Sequence, residues 1–295
     1  MMQAQDERAL QLPAQMLLRL QAIYRSLKRA ERSAADLLMN RPGFVARSTI
    51  AAVSEEVGVS QPTFVRLAQR LGYSGYAEMK EVLLAGGESP AEPPEVPYEH
   101  VNKESSALEI AQSIVHASIQ ALNDLLCVMN PEDYECAAAA LMGAERIAFF
   151  GAGDSGVVAL SAFQKFVKVG AICHTTSDND TQLMLAALMN EKCVCVLVSH
   201  SGDTVSMVQA AKLAKAAGAT TIAVTNFPYS HLAKQCDIVL LTATFVECGG
   251  ELVTQRIAQL AIIESLFIIY RMRKSAQCDK ALALTDRIIE ETTKL

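Results

Sequence analysis

The sequence predicts two domains of different class: an all-α helix-turn-helix domain at the N-terminus, joined to an α/β domain. In the second domain we expect a doubly wound parallel sheet with helices on both faces. Three observations predict this organisation. Residues 49–71 carry a helix-turn-helix pattern, residues 86–100 hold four of the nine prolines, and short apolar runs alternate with helical patterns from residue 147. We therefore predict a first domain over residues 1–86, a linker over 87–104 and a second domain over 105–295.

The composition is that of a globular chain. Of its 295 residues 51% are hydrophobic and 20% are charged, which argues against global disorder. We find no apolar run long enough to cross a membrane, and the polar N-terminus does not resemble a signal peptide. The 8 cysteines follow no metal or disulfide spacing. We expect a cytoplasmic protein with reduced thiols, no metal and no cofactor.

The charge is distributed unevenly. The chain carries a net charge of −6, but residues 1–86 contain 11 Lys and Arg against 8 Asp and Glu, and the remainder contains 15 against 24. A basic first domain on an acidic body indicates that the first domain alone meets a phosphate backbone.

The first elements of the chain are helical. Residues 14–40 predict one or two helices, which end at Arg41-Pro42-Gly43. A short helix is predicted over Thr49–Val57, followed by a turn at Gly58-Val59-Ser60 and a second helix that ends at Gly72. Ser60 is a good N-cap for the second helix. The apolar positions of residues 14–40 are Leu17, Leu18, Leu20, Ile23, Leu27, Leu37 and Leu38.

The second helix of the motif divides into two faces. One face is apolar and should pack inward, because its residues follow helical spacing: Phe64, Leu67, Ala68 and Leu71. Thr63, Arg66 and Arg70 share another face. A helix of this kind enters the major groove of DNA, with its N-terminal side chains at base edges. The residues that we predict to bind DNA are Ser60 at the helix start, Gln61, Thr63 and Arg66 as base readers, and Arg70 and Lys80 as phosphate contacts.

The second domain begins with helical residues 105–143 and then alternates strands with helices. A long helix is predicted over 251–274, and the last twenty residues form another. The predicted strands are Ile147–Phe150, Ala171–His174, Cys193–Val198, Thr221–Thr225 and Ile238–Leu241, and the helices between them are 157–168, 181–190 and 205–217.

Two loops follow strands of this predicted sheet. GAGDSG occupies residues 151–156, SHSGDT occupies residues 199–204, and a helix follows each. Glycines let a backbone approach an anion, short hydroxyls donate to it, and a helix N-terminus offers free N–H groups. Open α/β sheets bind ligands at such carboxyl ends of strands. We predict a phosphorylated ligand bound by Gly151, Gly153, Ser155, Ser199, His200, Ser201, Gly202 and Thr204.

A dinucleotide site is the alternative for the first loop. Gly151, Gly153 and Gly156 satisfy the G-x-G-x-x-G pattern by themselves. A dinucleotide site also needs an acidic residue at the end of the second strand. The nearest, Asp178, lies beyond that strand in a loop, and the hydroxyl-rich second loop favours a phosphosugar.

The N-terminal string resembles the helix-turn-helix domain of the RpiR family of bacterial regulators. Residues 110–275 resemble a sugar isomerase (SIS) domain, whose G-x-G-x-S and S-x-S-G-x-(T/S) loops match the two loops above. The resemblance implies a DNA-binding regulator of carbohydrate metabolism that binds operator DNA and a phosphorylated sugar or sugar acid as a homodimer or homotetramer, away from membranes. FFGAGDSGVVAL, VSHSGDT and QRIAQL are most similar to hexose-metabolism regulators that respond to a keto-deoxy-phosphogluconate. The N-terminal match falls on Ile50, Gly58, Val59, Ser60, Thr63, Arg66, Leu71, Gly72, Tyr73, Gly75 and Tyr76.

Three alternatives stay open at this point. A phosphosugar isomerase would need a base beside the sugar, and the candidates are His174, His200, Glu247 and Glu251, although the resemblance implies sensing without turnover. Cys193 and Cys195 face one side of a strand, where a buried core position is favoured over a metal site. Residues Gln259–Tyr270 are almost continuously apolar and form either a buried helix or a subunit interface.

Overall fold

The computed structural model describes residues 16, 19–20, 23–24, 27–85, 105–243 and 254–293. They fall into two compact units, divided between His116 and Ala117. The predicted linker 87–104 lies outside the described residues, as do Leu17, Leu18, Glu247 and Glu251. In the part of the chain that is described, no helix is both long and apolar enough to span a bilayer.

The first unit is helical, as the sequence predicts. Its described residues between 16 and 24 are helical too. Pro42 stands at the start of the second helix, where the missing N–H costs little. The helices are α1 (Arg29–Asn40), α2 (Pro42–Arg47), α3 (Ile50–Glu56), α4 (Gln61–Arg70) and α5 (Tyr76–Ala85).

The apolar face of α4 is buried, which confirms the prediction for Phe64, Leu67, Ala68 and Leu71. The ring of Tyr76 on α5 lies edge-on to Phe64, with the ring centroids 6.0 Å apart. Its hydroxyl donates to the carbonyl of Val45 at 2.9 Å. Burial raises the pKa of Tyr76 to about 12, so this phenol stays a neutral donor that ties α5 to α2.

The second unit contains a five-stranded parallel sheet in the order β2-β1-β3-β4-β5. The strands are β1 (Arg146–Gly151), β2 (Cys173–His174), β3 (Cys193–Val198), β4 (Thr220–Thr225) and β5 (Ile238–Leu241). The predicted bounds of β3 and β5 are confirmed, and β2 is two residues shorter than predicted. The helices from residue 107 onward are α6 (Ala107–Val128), which crosses the division between the two units, α7 (Pro131–Gly143), α8 (Asp154–Lys168), α9 (Asn179–Ala187), α10 (Val205–Ala216), α11 (His231–Gln235), α12 (Gln255–Arg273) and α13 (Ser275–Thr293).

Alternate residues of each strand face two separate cores, so the sheet is covered on both sides. On one side Phe149, Val196 and Val224 pack with residues of α7, α8 and α12. On the other side Phe150 and Leu197 pack with residues of α9 and α10. The prediction of a doubly wound α/β domain is therefore confirmed.

Cys193 and Cys195 are core residues, as the sequence favours. Both are buried with Phe150 and Leu197 on one face of the sheet. Burial raises the pKa of the Cys195 thiol well above its usual value. Among the described residues no group of three His, Cys, Asp or Glu side chains is arranged to hold a metal ion.

Helix α12 runs beside α8 in the same direction. Arg256 in its first turn lies 3.8 Å from Asp154, the first residue of α8. Further along both helices, Lys165 contacts Glu264 at 2.7 Å. Both helices therefore begin at the carboxyl edge of the sheet. One face of α12 is buried, with residues Ala258, Gln259, Ile262, Ile263, Leu266 and Tyr270. Ile268 is 45% exposed, so a subunit interface on the rest of this helix stays a prediction.

Candidate functional site

The two loops predicted to hold a phosphate lie side by side. In the register of β1 and β3, Gly151 pairs with Val198, so GAGDSG and SHSGDT leave the sheet at adjacent positions on its carboxyl edge. The chain turns toward β2 after β1 and toward β4 after β3. The connections after β1 and β3 therefore leave in opposite directions along the sheet, and a crevice opens between them. Doubly wound sheets bind their ligands in such a crevice.

The first loop depends on two glycines. A Cβ atom on Gly151 would lie 2.5 Å from the backbone oxygen of Ser155, so only glycine allows the strand end to approach α8 this closely. Gly153 adopts a φ of 55°, in the left-handed region, and its carbonyl accepts the N–H of Gly156 at 2.9 Å. The half-buried Ser155 lies in the first turn of α8.

The second loop is closed by its own hydroxyls. The Oγ atom of Ser199 is buried and lies 3.2 Å from the Oγ1 of Thr204. The same Oγ accepts the backbone N–H of Gly202 at 3.2 Å. Gly202 has a φ of 63°, and a Cβ atom there would lie 2.1 Å from the Oγ of Ser230. Ser201 accepts the N–H of Asp203 at 3.2 Å.

The two helices that follow these loops begin without a side-chain cap. Gly153 occupies the N-cap position of α8 and has no side chain to cap it. Thr204 occupies the N-cap position of α10, and its side chain makes no capping hydrogen bond. By contrast, Asp178 caps α9 and Ser230 caps α11 through their side chains. First-turn N–H groups without such a cap suit an anion, because the helix dipole adds to their attraction.

Acidic side chains near the loops have basic partners. The Oδ1 atom of Asp203 lies 2.9 Å from the Nδ1 of His231. Burial raises the pKa of Asp203, but hydrogen bonds from His231 outweigh it and hold the pKa below its usual value. Asp154 has Arg256 at 3.8 Å. The positive charge of Arg256 beside Asp154 reduces the repulsion that a bound phosphate would meet.

His200 forms part of the wall of the second loop. Its ring lies edge-on to Phe227 with the centroids 5.8 Å apart. Its carbonyl accepts the N–H of Asn226 at 3.0 Å and the hydroxyl of Thr225 at 3.2 Å. His200 therefore holds the end of β4 to the second loop through its backbone. This structural contribution is separate from the predicted contact of His200 with the ligand.

Further polar residues at this edge were not predicted from the sequence. Thr225 ends β4, Asn226 follows it, and Thr242 follows β5; all three are buried. Thr242 donates to the Oδ1 of Asn226 at 3.0 Å. Gln182 of α9 donates to the carbonyl of Gly151 at 3.0 Å. The available signal was the run of polar residues directly after apolar strands.

The residues considered for a dinucleotide site or as the base of an isomerase have the following positions. The carboxylate of Asp178 accepts the N–H of Thr181 at 2.7 Å as the cap of α9, so it already has a structural role and does not support the dinucleotide alternative. His174 ends β2 and is exposed. Of the predicted bases, Glu247 and Glu251 lie outside the described residues.

In the first unit, α4 presents a polar surface that suits the major groove. Its exposed side chains are Gln61, Pro62, Arg66 and Gln69. Gln69 was not predicted; it lies on the exposed side because it follows Arg66 by three residues. The turn before α4 contains Gly58 with a φ of 66°, which a non-glycine residue would adopt only with strain.

The expectation for Thr63 needs correction. Thr63 is 2% exposed, and its hydroxyl lies 3.0 Å from the Oγ of Ser60 and 3.3 Å from the Nη2 of Arg66. A side chain so buried does not reach a base edge. The reason is that α1 packs against this edge of α4, which the face pattern of α4 alone does not reveal. Ser60 occupies the N-cap position but bonds Thr63 instead of a backbone N–H.

The two predicted phosphate contacts have intramolecular partners. Arg70 lies 3.0 Å from Glu31, with 24% of its side chain exposed. Lys80 donates to the carbonyl of Ser48 at 2.9 Å and is half-buried. Their contact with a DNA backbone stays a prediction.

Comparison with known proteins agrees with this architecture. Residues 14–87 match the family described as "Helix-turn-helix domain, rpiR family", and residues 140–269 match "SIS domain". An uncharacterised HTH-type transcriptional regulator of Thermotoga maritima is 32% identical over 257 residues, which are 86% of this chain and 91% of that protein.

Two solved structures share the fold. The NanR protein of Vibrio vulnificus complexed with ManNAc-6P has a TM-score of 0.59 at 18% identity and covers 95% of this chain and 100% of its own. The sugar isomerase domain of an RpiR transcription factor from Sphaerobacter thermophilus has a TM-score of 0.57 at 22% identity and covers 61% of this chain and 99% of its own. With an N-terminal helix-turn-helix domain and a C-terminal SIS domain, the chain belongs to the RpiR family of transcriptional regulators.

Proposed function

We propose that this regulator binds operator DNA under the control of a phosphorylated sugar or sugar acid. The observation that carries the proposal is the pair of adjacent loops, each with a glycine at positive φ, short hydroxyls and an uncapped helix start. Such a site offers many N–H and O–H donors at one place, which is what a phosphate monoester needs.

A sugar fits the remainder of the site better than a dinucleotide does. The polar side chains around the loops include Thr225, Asn226, Thr242 and Gln182, which suit hydroxyl groups. The resemblance to NanR, a protein complexed with ManNAc-6P, supports a phosphosugar effector. Within that class we propose a keto-deoxy-phosphogluconate-type effector, on the similarity of FFGAGDSGVVAL, VSHSGDT and QRIAQL to regulators of hexose metabolism.

For DNA we propose that Gln61, Arg66 and Gln69 read bases in the major groove. Ser60, Arg70 and Lys80 contact the backbone and fix the register. A helix-turn-helix protein reads paired half-sites as a dimer, so we propose a homodimer or a homotetramer.

Control requires that the effector bind one arrangement of the protein more tightly than the other. We propose sensing without turnover. The loops hold hydroxyl groups that are bonded to one another, as in Ser199 with Thr204, and such groups bind a phosphate without removing a proton from the sugar.

The test is fluorescence anisotropy of labelled DNA from upstream of the gene, titrated with the protein at one stated salt concentration. The titration is repeated with hexose, pentose, amino-sugar and keto-deoxy-acid phosphates. Specific binding that one ligand changes supports the proposal. Absence of specific binding, with consumption of one sugar phosphate, supports an isomerase instead.

A further inference from the structure

Two glutamine side chains in the second unit are buried and carry polar atoms without a hydrogen-bond partner. Gln182 is 0% exposed and Gln259 is 1% exposed. The Oε1 of Gln182 and both amide atoms of Gln259 have no hydrogen-bond partner among the described residues. A buried polar atom is costly to leave without a partner, so a group outside the described residues is expected to satisfy these atoms.

Gln182 belongs to the carboxyl edge of the sheet. Its Nε2 atom donates to the carbonyl of Gly151 at 3.0 Å and to the carbonyl of Thr176 at 2.6 Å. Because both partners are acceptors, the nitrogen has to face them and the orientation of the amide is fixed. The Oε1 atom is therefore held beside the first loop as a single, oriented acceptor.

Gln259 lies on the buried face of α12, one turn before Ile262 and Ile263. The contact between Arg256 and Asp154 places the start of α12 beside the start of α8, which carries Ser155. The apolar residues that follow Gln259 on this face pack on the core under the sheet. Gln259 therefore lies where the apolar core gives way to the polar carboxyl edge.

We propose that Gln182 and Gln259 bind the sugar part of the effector and discriminate among sugar phosphates. This proposal rests on the proposed function and deepens it, since the loops hold the phosphate and the two amides bind the hydroxyl groups. Hydroxyl groups satisfy the amides because they donate and accept. A site whose polar atoms would be left unpaired rejects an analogue that lacks the matching hydroxyl.

The two amides select different groups. Gln182 offers only an acceptor, so it takes an O–H and disfavours a carboxylate at that place. Gln259 offers a donor and an acceptor, so it can bind a hydroxyl, or its N–H₂ can donate to a carbonyl oxygen. The ligand class is a phosphorylated sugar with a hydroxyl toward Gln182.

The experiment compares Gln259→Leu with the full-length wild type by calorimetric titration. The probes are fructose 6-phosphate, ManNAc-6P, 2-keto-3-deoxy-6-phosphogluconate and inorganic phosphate. We expect Q259L to bind the preferred sugar phosphate at least about 10-fold more weakly and to bind inorganic phosphate as the wild type does. Thermal stability without ligand should not fall, because the substitution removes an unpaired buried amide. Gln277→Leu, at an exposed position of α13, is the matched control.

A merely structural role for Gln259 gives a different result. Equal weakening for sugar phosphate and inorganic phosphate, or no weakening, overturns the assignment while leaving the proposed function in place. A wild type that binds none of the three sugar phosphates overturns both. Gln259→Met keeps the side-chain length and provides the answer if Q259L does not fold.

Monodeoxy analogues of the bound sugar phosphate identify the hydroxyl groups. If Gln259 contacts one hydroxyl, the losses of binding free energy caused by removing that hydroxyl and by Q259L are not additive. The losses caused by Q259L and by removing another hydroxyl are additive. If Gln182 contacts a different hydroxyl, the monodeoxy analogue that lacks this hydroxyl should bind the wild type about 10-fold or more weakly. Its loss of binding free energy should add to the loss caused by Q259L. Additivity for every analogue overturns the contact with Gln259, and the absence of a second sensitive hydroxyl overturns the contact with Gln182.

Discussion

The Nη1 atom of Arg70 on α4 lies 3.0 Å from the Oε2 atom of Glu31 on α1. The same carboxylate oxygen accepts the backbone N–H of Lys28 at 3.0 Å. One buried acid therefore caps α1 and holds the edge of α4. Thr63 precedes Arg70 by seven residues, so it lies on the same side of α4, the side that faces α1.

Glu31→Gln should lower stability and strengthen non-specific DNA binding. The amide keeps a neutral hydrogen bond but removes the negative charge beside Arg70, so we expect a loss of about 1–3 kcal/mol in the free energy of unfolding. Without that charge the guanidinium of Arg70 should attract DNA phosphates more strongly. Affinity for random DNA over a salt series measures this, and an affinity and salt dependence equal to those of the wild type would show that Glu31 does not weaken the contact of Arg70 with DNA.

Arg66→Ala should weaken binding to operator DNA by roughly 1–3 kcal/mol and relax the base preference at one position of the half-site. The guanidinium is exposed on the side of α4 that suits the major groove. Anisotropy on operator and random DNA measures the effect, with Arg287→Ala on α13 as the charge-matched control. An equal loss on both DNAs would identify Arg66 as a phosphate contact.

Thr63→Val should reduce stability without changing specificity. Valine fills the same volume but loses the hydroxyl that meets Ser60 and Arg66, which costs about 1 kcal/mol. Thermal unfolding gives the first quantity and anisotropy on operator variants gives the second. A changed base preference with unchanged stability would restore Thr63 as a reader.

Ser155→Ala and Ser199→Ala should each abolish the response to the sugar phosphate and leave DNA binding intact. Each removes a hydroxyl from one of the two adjacent loops, and Ser199 also supports the N–H of Gly202. Operator anisotropy with and without the effector is the measurement, and Ser275→Ala, at an exposed position of α13, is the control. An intact response in either variant would remove that serine from the site.

Gly202→Ala should distort the second loop. Its φ of 63° costs an L-residue roughly 1–2 kcal/mol, and the new Cβ would meet the Oγ of Ser230 at 2.1 Å. We expect a lower unfolding temperature and loss of the effector response. Gly143→Ala adds a Cβ with nothing within 4 Å and should behave as the wild type. Full effector affinity in G202A would show that the loop is not required in this conformation.

The sheet could be predicted from the sequence because its strands are short, apolar and separated by clear helical patterns. Cys193–Val198 and Ile238–Leu241 have the predicted bounds. The strand predicted over Ala171–His174 contains only Cys173 and His174, which pair with Ile147 and Ala148 of β1. The break between α6 and α7 was not predicted, although Asn130-Pro131 carries the signal of a cap followed by a first-turn proline.

The site was predictable only where its residues follow a local pattern. The two loops are contiguous in sequence, so their glycines and hydroxyls could be named. Thr63 was misjudged because a helix distant in sequence covers it, and Gln182 and Gln259 were missed because a glutamine in a helix normally faces water. Only burial distinguishes these amides from ordinary surface residues.

The chain goes to β2 after β1 and to β4 after β3, in opposite directions along the sheet, and this has an evolutionary consequence. The crevice is made by the topology of the sheet, and in the proposed mode of binding the backbone N–H groups and hydroxyls of the two loops hold the phosphate. In the same proposal the sugar is bound by Gln182 on α9 and Gln259 on α12, which are not needed to form the crevice. A lineage of this family is thus free to exchange one effector for another by altering a few helix positions, while its fold and its requirement for a phosphate are inherited intact.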